Sequence, residues 1–436
     1  MFDTFHVMFA LSVFVCTAYA LFILFTVIGT RSVVRTDSPV RAPMPPDDSP
    51  GVSIMKPCAG NDDDLESCLE SYCALRYPNM QLVFGVRDTS DAAYPIIERV
   101  KSRHPELDIA VALSGEGRHP SPKVVNLAAM APLARHELYW LSDSNTLVSP
   151  DTLGGMRAAL ERPGVGMVVS PIAGIGEATA GSALDNLEVN SWIGFGAIAI
   201  HDRTGLVGGP GKSVLIHRDT LARAGGWREL GGYFGEDTVL MSAVLGLGMR
   251  LALGPDVVLH PNENASMEAF ASRHLRWLLI RLRLYPMSIV GEMLMSPWLL
   301  SAAAGGYLAS HGLWGRGAAI VLFGALVQCA GDLYTSSRLR GAPVPWRFAP
   351  LVWVRPLAIG IIALRAVVRS DVQWRGNAAW VGQGSAILLE RPLGVSARFS
   401  RWLRAVRPTT PMPDSSADEL LERETAPRTS ASAARS

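Results

Sequence analysis

The feature that most constrains the fold of this chain is an uncharged apolar run near its N-terminus. Residues 7–30 contain no charged side chain, and His6 lies just outside them. A run of this length crosses a bilayer as a helix, because a helix pairs its own backbone polar groups. The segment 18–20 resembles a signal-peptide cleavage site, but no Lys or Arg precedes it and apolar residues continue to Ile28. Residues 1–35 are therefore predicted to form a transmembrane anchor.

Three further apolar segments, at about 287–310, 316–335 and 349–368, predict a membrane region over residues 287–370. Arginines 31, 35 and 41 follow the anchor and predict that the next domain is cytoplasmic. Arginines 365, 369 and 375 also favour the cytoplasm, which conflicts with four complete crossings. We therefore expect one segment not to cross fully, and the last one, which contains Arg355-Pro356, is the candidate for a re-entrant or interfacial helix. A cytoplasmic element is predicted at 371–407 and a disordered tail at 408–436.

Composition agrees with a membrane protein and argues against a polyanion as partner. Of 436 residues, 49% are hydrophobic and 18% are charged, and the mean hydropathy is +0.21. The net charge of +1 gives no electrostatic case for nucleic acid. The five cysteines lack metal-ligand spacing and are predicted to be reduced thiols. Abundant Arg and scarce Lys are typical of a GC-rich bacterium, which points to the inner membrane; the four lysines are Lys56, Lys101, Lys123 and Lys212.

Between the membrane regions, residues 50–265 alternate apolar runs with helical patterns. Strands are predicted at 52–55, 81–86, 108–113, 137–141 and 165–170, and helices at 63–76, 91–103 and 150–161. This rhythm predicts a mostly parallel sheet covered by helices, with ligands beyond the carboxyl ends of its strands. Asp88 and Asp143 both occupy such strand ends, although Asp is also common there as a turn or helix-capping residue.

Two later clusters carry charge suited to catalysis. Glu236-Asp237 precede a helical pattern and offer a carboxylate base, or a simple acidic helix start. Arg273, Arg276 and Trp277 lie at i, i+3 and i+4 on one helical face, where arginine can bind a diphosphate. The same segment, 266–286, also has the pattern of a basic interfacial helix. Gly211-Lys212-Ser213 ends a glycine-rich stretch whose spacing does not match a Walker A motif, which argues against an ATPase.

These segments occur in a familiar order. They are Val52–Pro57, 81–91 with Asp88, 121–127 with Lys123, 142–145 with Asp143, 224–227 leading to Glu236-Asp237, 273–277, and 374–376. Together they resemble the motifs of processive-type family 2 glycosyltransferases with a GT-A fold, most closely the ceramide glucosyltransferase branch, over about residues 50–290. The resemblance implies a Rossmann-like α/β GT-A domain in the cytoplasm, one N-terminal membrane helix and about three C-terminal ones.

The resemblance also implies roles for the site residues. Asp237 is expected to be the general base of an inverting transfer, with Glu236 orienting substrate or backbone. Lys56 and Lys123 are expected at the diphosphate, Asp88 at the uridine or ribose, and Arg273, Arg276 and Trp277 at the donor. Asp143 is the expected ligand of Mg²⁺ or Mn²⁺. His260, at the end of a predicted strand, is a further candidate ligand or an ordinary strand-end histidine. The Asp-Ser-Asn sequence at 143–145 lacks the second aspartate of the usual metal motif.

The expected reaction is transfer of a hexose, glucose from UDP-glucose, to ceramide. A hopanoid acceptor with an N-acetylglucosaminyl donor is the nearest alternative. A polysaccharide synthase is disfavoured by Arg273 and by the few membrane segments. A non-catalytic sugar-nucleotide binder is also kept open by the Asp-Ser-Asn motif. The sequence does not determine the sugar, the lipid, the metal or the oligomeric state.

Overall fold

A seven-stranded mixed sheet forms the centre of the protein. The computed structural model describes residues 4–33, 45–61, 64–117, 120–204, 211–374 and 377–389. The sheet strands are β1 Val52–Pro57, β2 Met80–Val86, β3 Ile109–Leu113, β4 Leu138–Ser142, β5 Val165–Val169, β7 Ser213–His217 and β8 Arg250–Leu253. Their order is β3-β2-β1-β4-β7-β5-β8. Only β7 among these strands runs antiparallel to its neighbours β4 and β5.

Helices cover both faces of this sheet, which explains why β1 is buried at every position. The helices of this region are α2 Leu65–Cys73, α3 Tyr94–Arg103, α4 Pro122–Met130, α5 Thr152–Leu160, α8 Arg218–Arg223, α9 Gly226–Leu230 and α10 Glu236–Gly246. The layered α/β architecture and the single antiparallel strand confirm the GT-A-like fold expected from the resemblance. The predicted strands and helices of this domain agree with the observed ones to within about three residues at each end.

A second layer connects the sheet to the apolar helices. Strands β6 Ile172–Ile175 and β9 Val258–Pro261 form a parallel pair. After β6 the chain continues through α6 Ala180–Glu188, a π-helical turn at Val189–Ile193, and α7 Gly194–Thr204. After β9 it enters α11 Met267–Leu284, where the Ser266 hydroxyl caps the helix by accepting a hydrogen bond from the Ala269 N–H at 3.1 Å. This helix covers most of the basic segment predicted at 266–286.

In the described part of the chain the apolar segments form five helices, three of which are long and apolar enough to cross a membrane, so the protein is membrane-associated. They are α1 Thr4–Val33, α12 Pro286–Leu294, α13 Pro297–Ser310, α14 Trp314–Arg340 and α15 Leu351–Val368. By length and composition, α1, α14 and α15 are each candidate spans among the described residues, and α12 with α13 would make a fourth, bent by 61°. A break falls at Ser296, between α12 and α13 in the first C-terminal segment, whereas α15 is continuous through Pro356. Incomplete crossing by one segment stays a prediction.

A small antiparallel sheet follows α15. Its strands are β10 Asp371–Trp374, β11 Asn377–Val381 and β12 Ile387–Leu388. It packs with Phe234, Leu275 and Ile359 in one apolar cluster, and so joins the loop before α10 to the membrane helices. The remainder of the predicted 371–407 element and the predicted tail at 408–436 lie outside the described residues.

Candidate active site

A cavity of about 950 Å³ lies at the carboxyl ends of β1 and β4 and extends to the membrane helices. Its lining includes Asp143 after β4, Lys123 on α4, and Glu236 and Asp237 at the start of α10. Arg273, Arg276 and Trp277 line it from α11. The structure therefore brings seven of the sequence-predicted residues to one cavity, across about 150 residues of chain. We call it the central cavity.

Lys123 lies at the centre of the charged cluster in this cavity. Its Nζ is 2.8 Å from Asp143 Oδ1 and 2.8 Å from Glu236 Oε1. Burial opposes the lysine charge, but Asp143 and Glu236 outweigh burial and raise the pKa of Lys123. Lys123 lies in the first turn of α4. This helix begins after the capping residue Ser121, with Pro122 at its first position.

Asp143 is ionised despite its partial burial. Burial opposes its charge, but Lys123 and Lys212 hold the pKa of this carboxyl below its usual range. Lys212 Nζ lies 3.5 Å from Asp143 Oδ2 and donates a hydrogen bond to Asn145 Oδ1 at 3.1 Å. Lys212 was not among the predicted site residues. Two features of the sequence could have drawn attention to it: it is one of four lysines, and it follows a glycine-rich stretch. Residues 205–210 of that stretch lie outside the described residues.

Glu236 and Asp237 differ in their surroundings. Burial raises the pKa of Glu236, with further contributions from Asp237 and Asp143. Asp237 is held by backbone donors: its Oδ2 accepts from the Gly211 N–H and its Oδ1 accepts from the Thr238 N–H at 2.7 Å. The carboxylate of Asp237 is therefore oriented at the cavity wall by the segment before β7 and by the first turn of α10.

Lys56 has a different place from the expected one. It is fully buried, and its Nζ donates to the Asp143 backbone carbonyl at 2.7 Å and to Thr146 Oγ1 at 3.0 Å. The ammonium also lies 3.7 Å from the centroid of the Tyr72 ring. These contacts stabilise the loop after β4, so Lys56 supports the backbone of Asp143 instead of facing a diphosphate.

His260 and Asp88 lie in contrasting surroundings. His260 Nδ1 is 2.9 Å from the Asn145 carbonyl, and burial together with Lys212 and Arg273 lowers its pKa to about 3. This contact joins the buried ring to the loop that carries Asp143. Asp88 is partly exposed at the end of β2, where Ser90 and Arg87 lower its pKa to about 2.

Arg273 lines the central cavity but has a carboxylate partner. Asp185 on α6 forms an ion pair with Arg273 and contacts His274 Nε2 at 2.7 Å. Burial opposes the charge of Asp185, whereas Arg273 and His274 hold its pKa below the usual range. Nothing in the local sequence around Asp185 predicts this contact, because its partner is 88 positions later.

The residues fit a divalent cation in part. Asp143 presents a hard carboxylate to the central cavity, and Mg²⁺ or Mn²⁺ commonly binds through one or two carboxylates together with substrate phosphates. The ammonium groups of Lys123 and Lys212 already contact this carboxylate. A divalent cation would therefore bind there together with the negatively charged donor, which adds oxygen ligands and offsets the positive charge. His260 is buried and its Nδ1 contacts the Asn145 carbonyl. A histidine that binds a metal through Nε2 commonly donates its other ring N–H to such a carbonyl, so its role as a ligand stays a prediction.

Comparison with known proteins gives concordant findings. The model described as Glycosyl transferase family 21 matches residues 9–387. Ceramide glucosyltransferase 1 of Caenorhabditis elegans is 24% identical over 349 residues, which are 78% of this chain and 73% of that protein. The ceramide glucosyltransferase of Candida albicans is 34% identical over 115 residues, 24% of this chain and 21% of that one.

Two solved structures are more distant. A mannosyltransferase from Pyrobaculum calidifontis, in complex with GDP-Man and Mn²⁺, shares 18% identity at a TM-score of 0.44, over 82% of this chain and 99% of that chain. A glucosyl-3-phosphoglycerate synthase from Mycobacterium tuberculosis, in complex with Mn²⁺, uridine diphosphate and phosphoglyceric acid, shares 13% identity at a TM-score of 0.34, over 53% and 78%.

Proposed function

This chain belongs to glycosyl transferase family 21, and from that premise we propose that it transfers glucose from UDP-glucose to a hydroxyl of ceramide with inversion at the sugar. The chain is a sugar-nucleotide-dependent glycosyltransferase; the donor and acceptor are the proposal. One observation carries it. A cluster of carboxylates and ammonium groups around Lys123 shares a single cavity with Phe22 of α1 and with Met295 at the break between α12 and α13. That combination suits a charged donor and a lipid acceptor.

Asp237 is proposed as the general base. As the acceptor oxygen forms its bond to the anomeric carbon, its proton passes to Asp237, and the bond from that carbon to the diphosphate oxygen breaks. The electron pair leaves with the nucleoside diphosphate, which needs no general acid. Attack from the face opposite the leaving group inverts the configuration. The two backbone N–H groups on Asp237 support this role because they hold the carboxylate in one orientation.

The leaving group is proposed to be stabilised by the cations of the central cavity. Lys123, Lys212 and Arg276 line it and supply positive charge beside the expected position of the diphosphate. Arg273 is proposed to add to this charge while Asp185 fixes its position, and Trp277 to stack in the donor site. Asp88 is proposed for the uridine end. It follows β2 by two residues; β2 pairs with β1, and the last residue of β1, Pro57, lines the cavity.

Asp143 is the proposed ligand of a divalent cation. When bound, Mg²⁺ or Mn²⁺ neutralises charge on the departing diphosphate. Lys56 and His260 are proposed to keep the loop of Asp143 in place through its backbone, at 2.7 Å from the Asp143 carbonyl and 2.9 Å from the Asn145 carbonyl.

We also propose that the catalytic domain faces the cytoplasm from a bacterial inner membrane. The support is the set of arginines after the first apolar run and after the last one, which favour the cytoplasmic side. Scanning accessibility of single introduced cysteines from both sides of the membrane tests this orientation.

Product analysis by mass spectrometry tests the reaction. Purified protein in detergent is given each of several UDP-sugars with ceramide or with a hopanoid polyol, beside the Asp237→Asn and Glu236→Gln variants. We expect hexosyl-ceramide from UDP-glucose, and a loss of about a thousandfold or more for Asp237→Asn. Glu236→Gln is expected to retain more activity than Asp237→Asn, since it removes an ion pair with Lys123.

The other results each have a definite meaning. A product formed only on the hopanoid would replace the acceptor and keep the mechanism. If Glu236→Gln abolished turnover and Asp237→Asn did not, Glu236 would be the base. Equal turnover in wild type and both variants would reject carboxylate catalysis at this site.

A further inference from the structure

The lining of the central cavity includes an aromatic side chain from the first membrane helix. Phe22 of α1 lines the cavity together with Trp192 of the π-helical turn. Their ring centroids are 5.8 Å apart, and Phe22 also lies 6.5 Å from the ring of Phe195. A helix that served only to attach the domain to the membrane would have no need to reach the cavity that holds Asp237.

Packing holds α1 in this position. The Tyr19 hydroxyl donates a hydrogen bond to Asp332 of α14, one turn before Phe22. At Gly331, a Cβ would lie 2.4 Å from Tyr19 Cε1 and 2.6 Å from Ile23 Cδ1, so the two helices approach as closely as glycine permits. Tyr19 and Ile23, which flank Phe22 in the sequence, both pack against α14, and this packing fixes the position of Phe22.

Two glycines also belong to the cavity lining. Gly196 of α7 and Gly291 of α12 both line the cavity. A Cβ at Gly196 would meet Phe22 Cζ only at 4.0 Å, and a Cβ at Gly291 would meet no heavy atom of the described residues within 4 Å. At both positions the wall is bare backbone, and an added Cβ would meet no heavy atom of the described residues closer than 4.0 Å.

The chemistry of these walls selects the occupant. Phe22 lies within the apolar span Phe5–Leu24, and Gly291 lies in the first half of the bent pair. Leu284 and Met295 add to the same lining. Side chains with mostly apolar surface gain by burying hydrocarbon. A hydrocarbon chain is also what a membrane around these helices would supply.

We propose that Phe22, Trp192, Gly196 and Gly291 bound a compartment of the central cavity that binds the aliphatic chain of the acceptor lipid. The first membrane helix is then part of the acceptor site as well as an anchor. This inference rests on the proposed function, because it takes the acceptor to be a lipid whose hydroxyl reaches Asp237.

Filling the compartment tests it. Gly196→Leu and Gly291→Leu each add a side chain to an open wall, and leucine is well tolerated in helices. Activity is measured with long-chain and short-chain forms of the same acceptor lipid. We expect the long-chain to short-chain ratio of kcat/KM to fall about tenfold, equivalent to burying one or two fewer methylene groups. An unchanged ratio in both variants would overturn the proposal.

Phe22→Ala provides a second test, with Phe14→Ala as its control on the same helix. Phe14 is 69% exposed on the outside of the helix. We expect Phe22→Ala to raise the KM for the long-chain lipid about tenfold over Phe14→Ala, while the KM for the sugar nucleotide stays the same in both. Equal lipid KM values in the two variants would contradict the assignment of Phe22.

Photo-crosslinking separates this inference from the proposed function. A ceramide carrying a photoreactive group at the end of its acyl chain is irradiated with the full-length protein, and labelled peptides are identified. Labelling at Phe22 or Trp192 without glycosyl transfer would support the compartment and reject the proposed reaction. Transfer with labelling elsewhere would support the reaction and reject the compartment.

Discussion

At the residue scale, the structure separates groups that face the central cavity from groups that hold it in shape. Lys123 and Lys56 both belong to sequence motifs, and only their surroundings distinguish them. Lys123 bridges two cavity carboxylates, whereas Lys56 is enclosed below the loop of Asp143. An enclosed ammonium with carbonyl and hydroxyl partners and an aromatic face is a positioning group, because it touches the backbone that carries the functional side chain.

Lys56 gives a prediction about pH. Burial lowers its pKa from 10.5 to about 8, the neighbouring cysteines and Asp143 opposing this shift. Between these two values the unfolded chain binds the proton more strongly, so stability gained from this site rises as the pH rises. We expect the free energy of unfolding of wild type relative to Lys56→Met to rise between about pH 7 and about pH 10, by up to roughly 3 kcal/mol. The difference between their melting temperatures should grow over the same pH range. Thermal unfolding in detergent measures it.

Lys101→Met is the control for this experiment. Lys101 is an exposed lysine on α3, and its replacement should leave the pH dependence of the melting temperature unchanged. If Lys56→Met and Lys101→Met gave parallel curves over this pH range, the enclosed position of the Lys56 ammonium would be contradicted.

At the scale of elements, the small C-terminal sheet supports the loop before α10. The Phe234 N–H donates to the Ser385 carbonyl at 3.0 Å, and the Ile387 N–H donates to the Gly232 carbonyl at 2.8 Å. Phe234 packs into the same apolar cluster as the sheet. Residues far apart in sequence thus set where Glu236-Asp237 begin their helix.

Ile387→Pro tests this connection, because proline removes the N–H that Gly232 accepts from. Ile387→Ala keeps the N–H and removes most of the side chain. We expect kcat to be at least about tenfold lower for the proline variant than for the alanine variant, since misplacement of a catalytic group is costly. Steady-state transfer rates measure it, and melting temperatures show whether both variants are folded. Matching kcat values would show that the sheet does not position the loop.

At the scale of the whole molecule, a buried polar network joins the membrane helices to the catalytic domain. Arg355 of α15 donates to Asp332 of α14 at 2.9 Å and to Glu188 of α6 at 2.6 Å. Tyr19 of α1 donates to the same Asp332. Ionisable side chains in such segments are rare and are paired with one another. Here the pairing fixes α1, α14 and α15 to the helix that also carries Asp185.

Close packing at Gly331 is predicted to be essential for this arrangement. Gly331→Ala places a Cβ against Tyr19, whereas Gly315→Ala on the same helix places one where no heavy atom of the described residues lies within 4 Å. We expect Gly331→Ala to lower the melting temperature by several degrees, because overpacking costs about 1–3 kcal/mol. Gly315→Ala should match wild type. Melting temperatures in detergent decide the matter, and equal values for the two variants would contradict close contact of α1 with α14.

Several parts of the fold follow from local sequence. Alternating apolar and helical segments predicted the α/β core, and uncharged runs predicted the membrane helices, because burial pattern and length are local properties. Asp88 and Asp143 were predicted at the ligand-binding edge because both follow strands, whereas Asp237 was placed in the site by the resemblance. The break at Ser296-Pro297 was not predicted, although proline is a local signal for a helix break. Arg355-Pro356 was considered instead, because a charged residue accompanies the proline there.

What the sequence by itself determined is the type of each segment and the chemistry available at the strand ends. Only the tertiary structure decided which charged groups face the cavity. Asp185 and Arg273 are 88 residues apart, and Lys56 reaches Asp143 across 87. Burial and pairing over such separations depend on how helices pack on the sheet. The same holds for Phe22, which reads as one more apolar residue of a membrane helix until packing places it beside Trp192.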